Sequence, residues 1–134
     1  MKTYVLDASA VFVFLQKKPG ASKVNDVLKE AMREHAQVLM SAVNYAEVYG
    51  KIAREHGSNQ AQVTMNAVRS LPISLLDATL PRCVQAADLK NQYKLYYVDS
   101  FAAALAIEHK ATLVTSDSDF RKLGHSFPVL WLKS

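Results

Sequence analysis

The chain has one cysteine in 134 residues, so it contains no internal disulfide. That scarcity suits a reducing compartment, and the chain is read as cytoplasmic, with Cys83 as a small core residue. No apolar run approaches the ~18–20 residues needed to span a bilayer, which excludes a transmembrane helix. Met1-Lys2 passes straight into an apolar strand without the long hydrophobic region of a secretory leader, so no signal peptide is expected. Repeats, low-complexity tracts and linkers are missing as well. Its length fits one domain covering residues 1–134. The four histidines, His35, His56, His109 and His125, show no paired spacing of zinc ligands.

What is present is an ordinary globular composition, half apolar and 21% charged. Apolar segments alternate between two kinds. Thr3–Asp7, Gln37–Met40, Ile73–Leu76, Thr112–Thr115 and Val129–Leu132 read as short strands. Between them, three-and-four spacing predicts helices over Ala8–Gln16, Ala21–His35, a segment capped by Ser41 or Asn44 and ended by Gly57, Asn59–Ser70, Thr79–Tyr93 and Ser100–His109. A short helix is expected over Ser118–Leu123. Strands alternating with helices predict an α/β fold with a mainly parallel sheet covered on both faces.

The acidic residues fall at telling places in that layout. Asp7 lies where the first strand meets a helix, and Asp117 and Asp119 follow the fourth strand in TLVTSDSDF. Asp99 opens a helix apolar enough to be central. In such sheets the carboxyl ends of the strands and the helix N-termini share one edge, where ligands bind. Glu47, one turn into the third helix between Ala46 and Val48, joins them. Each aspartate alone has a plain explanation as an N-cap, worth a few tenths to about 1 kcal/mol. Capping accounts neither for Glu47 nor for the second member of the Asp117/Asp119 pair. Carboxylates gathered this closely repel, and a hard divalent cation is the natural compensation. Oxygen-only ligands favour Mg²⁺ or Mn²⁺, the ions of many phosphodiester-cleaving enzymes. On this reading Asp7, Asp99 and Asp117 hold the metal, while Glu47 or Asp119 orients a water or binds a second ion.

The segments VLDASA, AVNYAEV, VDSFAAALA and TLVTSDSDF, in that order, resemble the four motif blocks of PIN-domain ribonucleases, and among these the VapC-type toxins of toxin–antitoxin pairs. The resemblance spans nearly the whole chain. It implies a three-layer α/β/α sandwich with Mg²⁺- or Mn²⁺-dependent endoribonuclease activity. Asp7, Glu47, Asp99 and Asp117 match the acidic quartet and Asp119 a further acidic position. Ser9 and Thr115 match small hydroxyl residues that support the site, and Asn44 a polar position before the glutamate. The resemblance further implies an RNA substrate, a homodimer and a small antitoxin partner, while the lack of a long apolar run leaves no membrane among the expected partners. Ser118 departs from the family, whose members often carry a basic residue there. Tyr96-Tyr97 is a bulkier approach to Asp99 than expected, serving to narrow the cleft, to stack a base or to pack between helices.

Setting aside the five site carboxylates leaves seven of the 12 acidic residues against 16 Lys and Arg, a surplus of nine positive charges around the acidic site. That balance suits a polyanion. Lys51, Arg54, Lys90, Lys94, Arg121 and Lys122 are the candidates to follow its phosphates. A receiver domain is disfavoured because VLDASA offers one acid where a pair is needed. An aspartyl phosphohydrolase is disfavoured because Ser9 stands where a second aspartate belongs. A non-catalytic PIN-like module binding RNA or protein is the remaining alternative.

Overall fold

The computed structural model describes residues 1–133. Five strands form one sheet in the order β3-β2-β1-β4-β5, with every neighbouring pair parallel. They are β1 (Lys2–Leu6), β2 (Ala36–Ser41), β3 (Ser74–Leu76), β4 (Thr112–Thr115) and β5 (Val129–Trp131). The helices are α1 (Ala8–Leu15), α2 (Ala21–Met32), α3 (Ala42–His56), α4 (Ser58–Arg69), α5 (Leu80–Tyr93) and α6 (Tyr97–His109), with a 3₁₀ segment at Ser118–Leu123.

Period-two alternation divides the strand side chains between two cores. Tyr4, Leu6, Val38, Met40 and Val114 face one way, against α1 to α4. Val5, Leu39 and Leu113 face the other, against α5, α6 and the 3₁₀ segment. The sheet is thus the middle of three layers, as expected of strands alternating with helices.

Helix α6 is buried from Ser100 to Ala106 on every side. Its alanines at 102, 103, 104 and 106 remove the bulk that would keep the helix off the sheet. An all-round apolar helix is stable only inside the molecule. That burial fixes the height of its N-terminus above the sheet.

Chain order reverses at the centre. From β1 the chain runs outward through β2 to β3, then returns to β4 on the other side of β1. The carboxyl ends of β1 and β4 therefore flank a switch point, the place where such sheets bind ligands.

Two local expectations are corrected. Helix α6 begins at Tyr97 rather than Ser100, with Tyr96 as its N-cap and no side-chain cap bond. Asp99 therefore sits inside the first turn and does not cap it. Cys83 is only partly buried, its thiol directed at the Ala78 carbonyl 3.5 Å away, so it is not a core residue.

The packing predicts that Leu113→Ala, at a fully buried position in β4, loses about 2–5 kcal/mol of unfolding free energy. Val63→Ala on the exposed side of α4 changes it by less than about 0.5 kcal/mol. Urea denaturation of the two variants checks the contrast.

Candidate metal centre

Asp7 follows β1 and is the N-cap of α1, its Oδ1 accepting from the Ala10 backbone N–H at 2.9 Å. It does more than cap. The Ser9 hydroxyl donates to Oδ1 at 2.7 Å, and the Thr115 hydroxyl donates to Oδ2 at 2.5 Å. These two hydroxyls in turn accept backbone N–H groups: Ser9 Oγ from Ser116 at 2.9 Å, and Thr115 Oγ1 from Asp117 at 2.9 Å. One carboxylate thereby joins the end of β1, the start of α1 and the end of β4. Asp117 repeats the pattern on a smaller scale, its Oδ1 accepting from the Asp119 N–H at 2.9 Å and starting the 3₁₀ segment.

Helix α3 brings the second half of the site. Ser41 caps it through Val43 N–H at 3.1 Å, which sets the rotation of its first turns. Asn44 is buried and its amide donates to the Val98 carbonyl at 2.9 Å, tying α3 to the turn of α6 that carries Asp99. Glu47, one turn further, presents a buried Oε1 with no hydrogen-bond partner among the described residues, and Asn44 Oδ1 is likewise unpartnered. Both orphans are acceptors. They ask for a donor or a cation.

Asp7, Glu47, Asp99 and Asp117 line one cleft of about 550 Å³ at the carboxyl ends of the strands, together with Ser9, Phe12, Gly50, Lys51 and Arg54. Oxygens of Asp99, Asp117 and Asp119 all lie within 4.8 Å of one another. Asp7 stands outside that trio, and Asp119 does not line the cleft.

Burial, followed by repulsion from Asp117, Glu47, Asp7 and Asp119, raises the Asp99 carboxyl from 3.8 to about 7. Burial also raises Asp7 to about 6, against the pull of its three donors and with a smaller push from Asp117. Glu47 is raised for the same first reason, with the nearby Asn44 amide and Lys51 opposing and Asp117 reinforcing. Oxygen-only donors, three of them mutually close, beside an unpartnered carboxylate oxygen make a set that fits a hard divalent cation.

Residues 4–126 match the sequence model of the PIN domain. The chain belongs to the PIN domain family. Solved structures share the fold. A chain of VapBC2 from Rickettsia felis, bound to a DNA fragment from its promoter, superposes with a TM-score of 0.77 at 19% identity, over 96% of this chain and 97% of that one. DNA-bound VapBC from Salmonella typhimurium gives 0.74 at 12% identity, over 98% and 99%. VapC20 of Mycobacterium tuberculosis, a sarcin–ricin loop cleaving toxin, gives 0.65 at 17% identity, over 90% and 95%. No curated protein sequence matches this one.

In this PIN domain, Ser9, Asn44 and Thr115 bond to the acidic residues or to their supporting backbone. Of the six basic candidates, only Lys51 and Arg54 line the cleft. Lys122 instead donates to the Lys94 carbonyl at 3.2 Å, and Arg121 stacks on Trp131 at 4.3 Å. Tyr96 and Tyr97 do not narrow the cleft. Tyr96 is 73% exposed, and Tyr97 packs on Phe101 with ring centroids 5.2 Å apart. Sequence reading missed Phe12 and Gly50 as cleft residues. Gly50 carried a usable signal, since it sits one turn beyond Glu47 on the same helix face.

A carboxyl whose pKa is raised by folding binds more protons folded than unfolded, so stability falls as pH rises through the shifted range. In metal-free protein the stability penalty from Asp99 grows from pH 3.8 until pH passes about 7. Asp99→Asn, compared with the unaltered chain in EDTA, gains relative stability over that window and little below it. Adding Mn²⁺ above pH 7 stabilises the unaltered chain more than the variant. Thermal melts across pH, with and without the ion, read both effects.

Proposed function

We propose that this PIN domain is a divalent-metal-dependent endoribonuclease of the VapC type, hydrolysing RNA phosphodiester bonds. The observation that carries this reading is the meeting of Asp7, Glu47, Asp99 and Asp117, from four separate segments, in one cleft whose rim holds Lys51 and Arg54.

Asp99 and Asp117 would hold the cation, with Asp7 as the third anchor and Asp119 beside them. Bound there, Mg²⁺ or Mn²⁺ would supply positive charge for the phosphate and make a water easier to deprotonate. The chain's own residues do the rest. Ser9 and Thr115 prevent Asp7 from rotating. Asn44 holds the α6 turn so that Asp99 keeps its place. Glu47, with Oε1 free and its basicity raised by burial, accepts the proton of the attacking water. The water oxygen bonds to phosphorus as the ester P–O bond breaks and the leaving alkoxide oxygen takes a proton from solvent, while Lys51 and Arg54 donate to the phosphate oxygens whose charge increases.

The VapBC structures that share this fold support, by analogy of architecture, a small antitoxin as partner. We extend the reading to a homodimer acting in the cytoplasm. Among the described residues no helix is long and apolar enough to cross a membrane.

Incubating the purified protein with mixed RNA tests the proposal. Cleavage is expected with Mn²⁺ and its loss with EDTA. Asp99→Asn, which occupies a helical position without cap bonds, keeps the fold and lowers the rate by at least about a hundredfold. RNA binding without metal-dependent scission would instead support a non-catalytic module. Asp7→Asn is expected to lose cleavage too, and undiminished cutting by it would remove Asp7 from the mechanism.

A further inference from the structure

Next to the acidic cleft lies a second depression of about 310 Å³. Its walls are the turn between α1 and α2, with Lys18 and Pro19, and the ends of β4 and β5, with Ser116 and Lys133. Ser9, Phe12 and Lys51 line both hollows, so the two adjoin. Lysines 18, 51 and 133 all border this groove, and no carboxylate does. The Lys51 ammonium sits 4.6 Å over the Phe12 ring, which holds the cation at the boundary between cleft and groove.

The walls are fixed against each other. Gly20 adopts φ +100, and a Cβ there would overlap the Leu132 carbonyl oxygen. Only glycine lets the α1–α2 turn approach the segment after β5 this closely. The Lys23 ammonium donates to the Trp131 carbonyl at 2.9 Å, and the Leu132 N–H donates to the Thr115 carbonyl at 2.9 Å. Lys18 is held by its own backbone, donating to the Val13 carbonyl at 3.1 Å while its carbonyl accepts from Ala21 at 3.0 Å. The groove is therefore a set feature of the fold rather than a gap between loose side chains.

A third hollow opens on the other side of Phe12. It carries the carboxylate of Glu55 and the imidazole of His56 with Leu15 and Ile52, and neither lysine nor arginine lines it. A polyanion leaving the acidic cleft finds cations in one direction and a carboxylate in the other. Coulombic selection between the two paths follows from charge alone.

We propose that the Lys18–Lys133 groove binds the backbone phosphates next to the scissile one, so that a single RNA strand leaves the cleft over Lys51 and between these two lysines. This rests on the nuclease reading above and adds to it the route of the substrate. The groove's cations meet phosphate and carry no base preference, so the groove contributes affinity for any sequence.

The test is the salt dependence of binding to a fluorescently labelled mixed-sequence single-stranded RNA, measured in an Asp99→Asn background so that the probe stays intact. Replacing both Lys18 and Lys133 with Ala weakens binding. It also lowers the slope of log affinity against log salt by about 1.4, at roughly 0.7 for each phosphate no longer neutralised. The control pair is Lys2→Ala with Lys29→Ala. Lys2 begins β1 and Lys29 lies in the last turn of α2 before β2, both at the amino ends of the strands and away from the groove. It leaves the slope unchanged. Equal slopes for the groove and control pairs would overturn the proposal even if the protein cuts RNA. Failure of the unaltered chain to cut RNA with Mn²⁺ would sink the nuclease reading and leave the groove measurement standing.

Discussion

The cost of taking a cluster of carboxylates out of water is the constraint around which this molecule is built. Asp7 is 3% exposed, and a charge that deep costs several kcal/mol unless partners compensate. Three donors supply part of the compensation, and two of them, Ser9 and Thr115, are themselves held by backbone N–H groups from the segment after β4. Removing the carboxylate would therefore loosen the junction of β1, α1 and β4. The same bonds that orient Asp7 also bring Asp117 beside it. Structure and chemistry share one network here, and its members cannot vary independently.

Asp99 reaches the site by a different route. It has no cap bond and no hydrogen-bonded partner comparable to those of Asp7. Its place depends on the burial of α6 and on the Asn44 amide at the Val98 carbonyl. The alanine run matters for this reason: larger side chains at 102 to 106 would lift the helix and carry Asp99 away from Asp117. The more strongly raised pKa of Asp99 is the electrostatic sign of the same fact. Burial acts on it first with no donor to offset it, and four acidic neighbours add their repulsion. A carboxylate so placed has the most to gain from a cation.

The strands, their alternation and the edge at which the acids gather could be read from the chain because they follow from local periodicity. Asp7 and Asp117 were visible as caps for the same reason. The start of α6 was not. Tyr96, Tyr97 and Val98 carry no cap side chain, so Asp99 looked like the natural beginning. What carries the helix back to Tyr97 is the i,i+4 packing of Tyr97 on Phe101 within α6, joined by the tertiary contact of its hydroxyl at 3.5 Å with the Cys83 carbonyl of α5. The basic residues show the same division. Lys51 and Arg54 follow Glu47 along one helix and could be placed with it. Lys18 and Lys133 are more than a hundred positions apart, and only the close approach of Gly20 to Leu132 makes them neighbours.

Charge separation completes the logic. The carboxylates occupy the floor of the cleft, where burial strengthens their fields, while the lysines and Arg54 occupy its margins, where water screens them. A polyanion approaching from solvent first meets the exposed cations, whose attraction depends on salt. It reaches the acidic floor only where a bound cation has reversed the local sign. Affinity and reactivity are thereby assigned to different groups, and a strand held at the rim gains nothing chemically until the floor is charged with metal. An acidic floor without an ion would repel the backbone that the rim attracts. Under the proposed function, metal occupancy would gate substrate entry as well as the chemical step, a coupling that follows from the position of these charges.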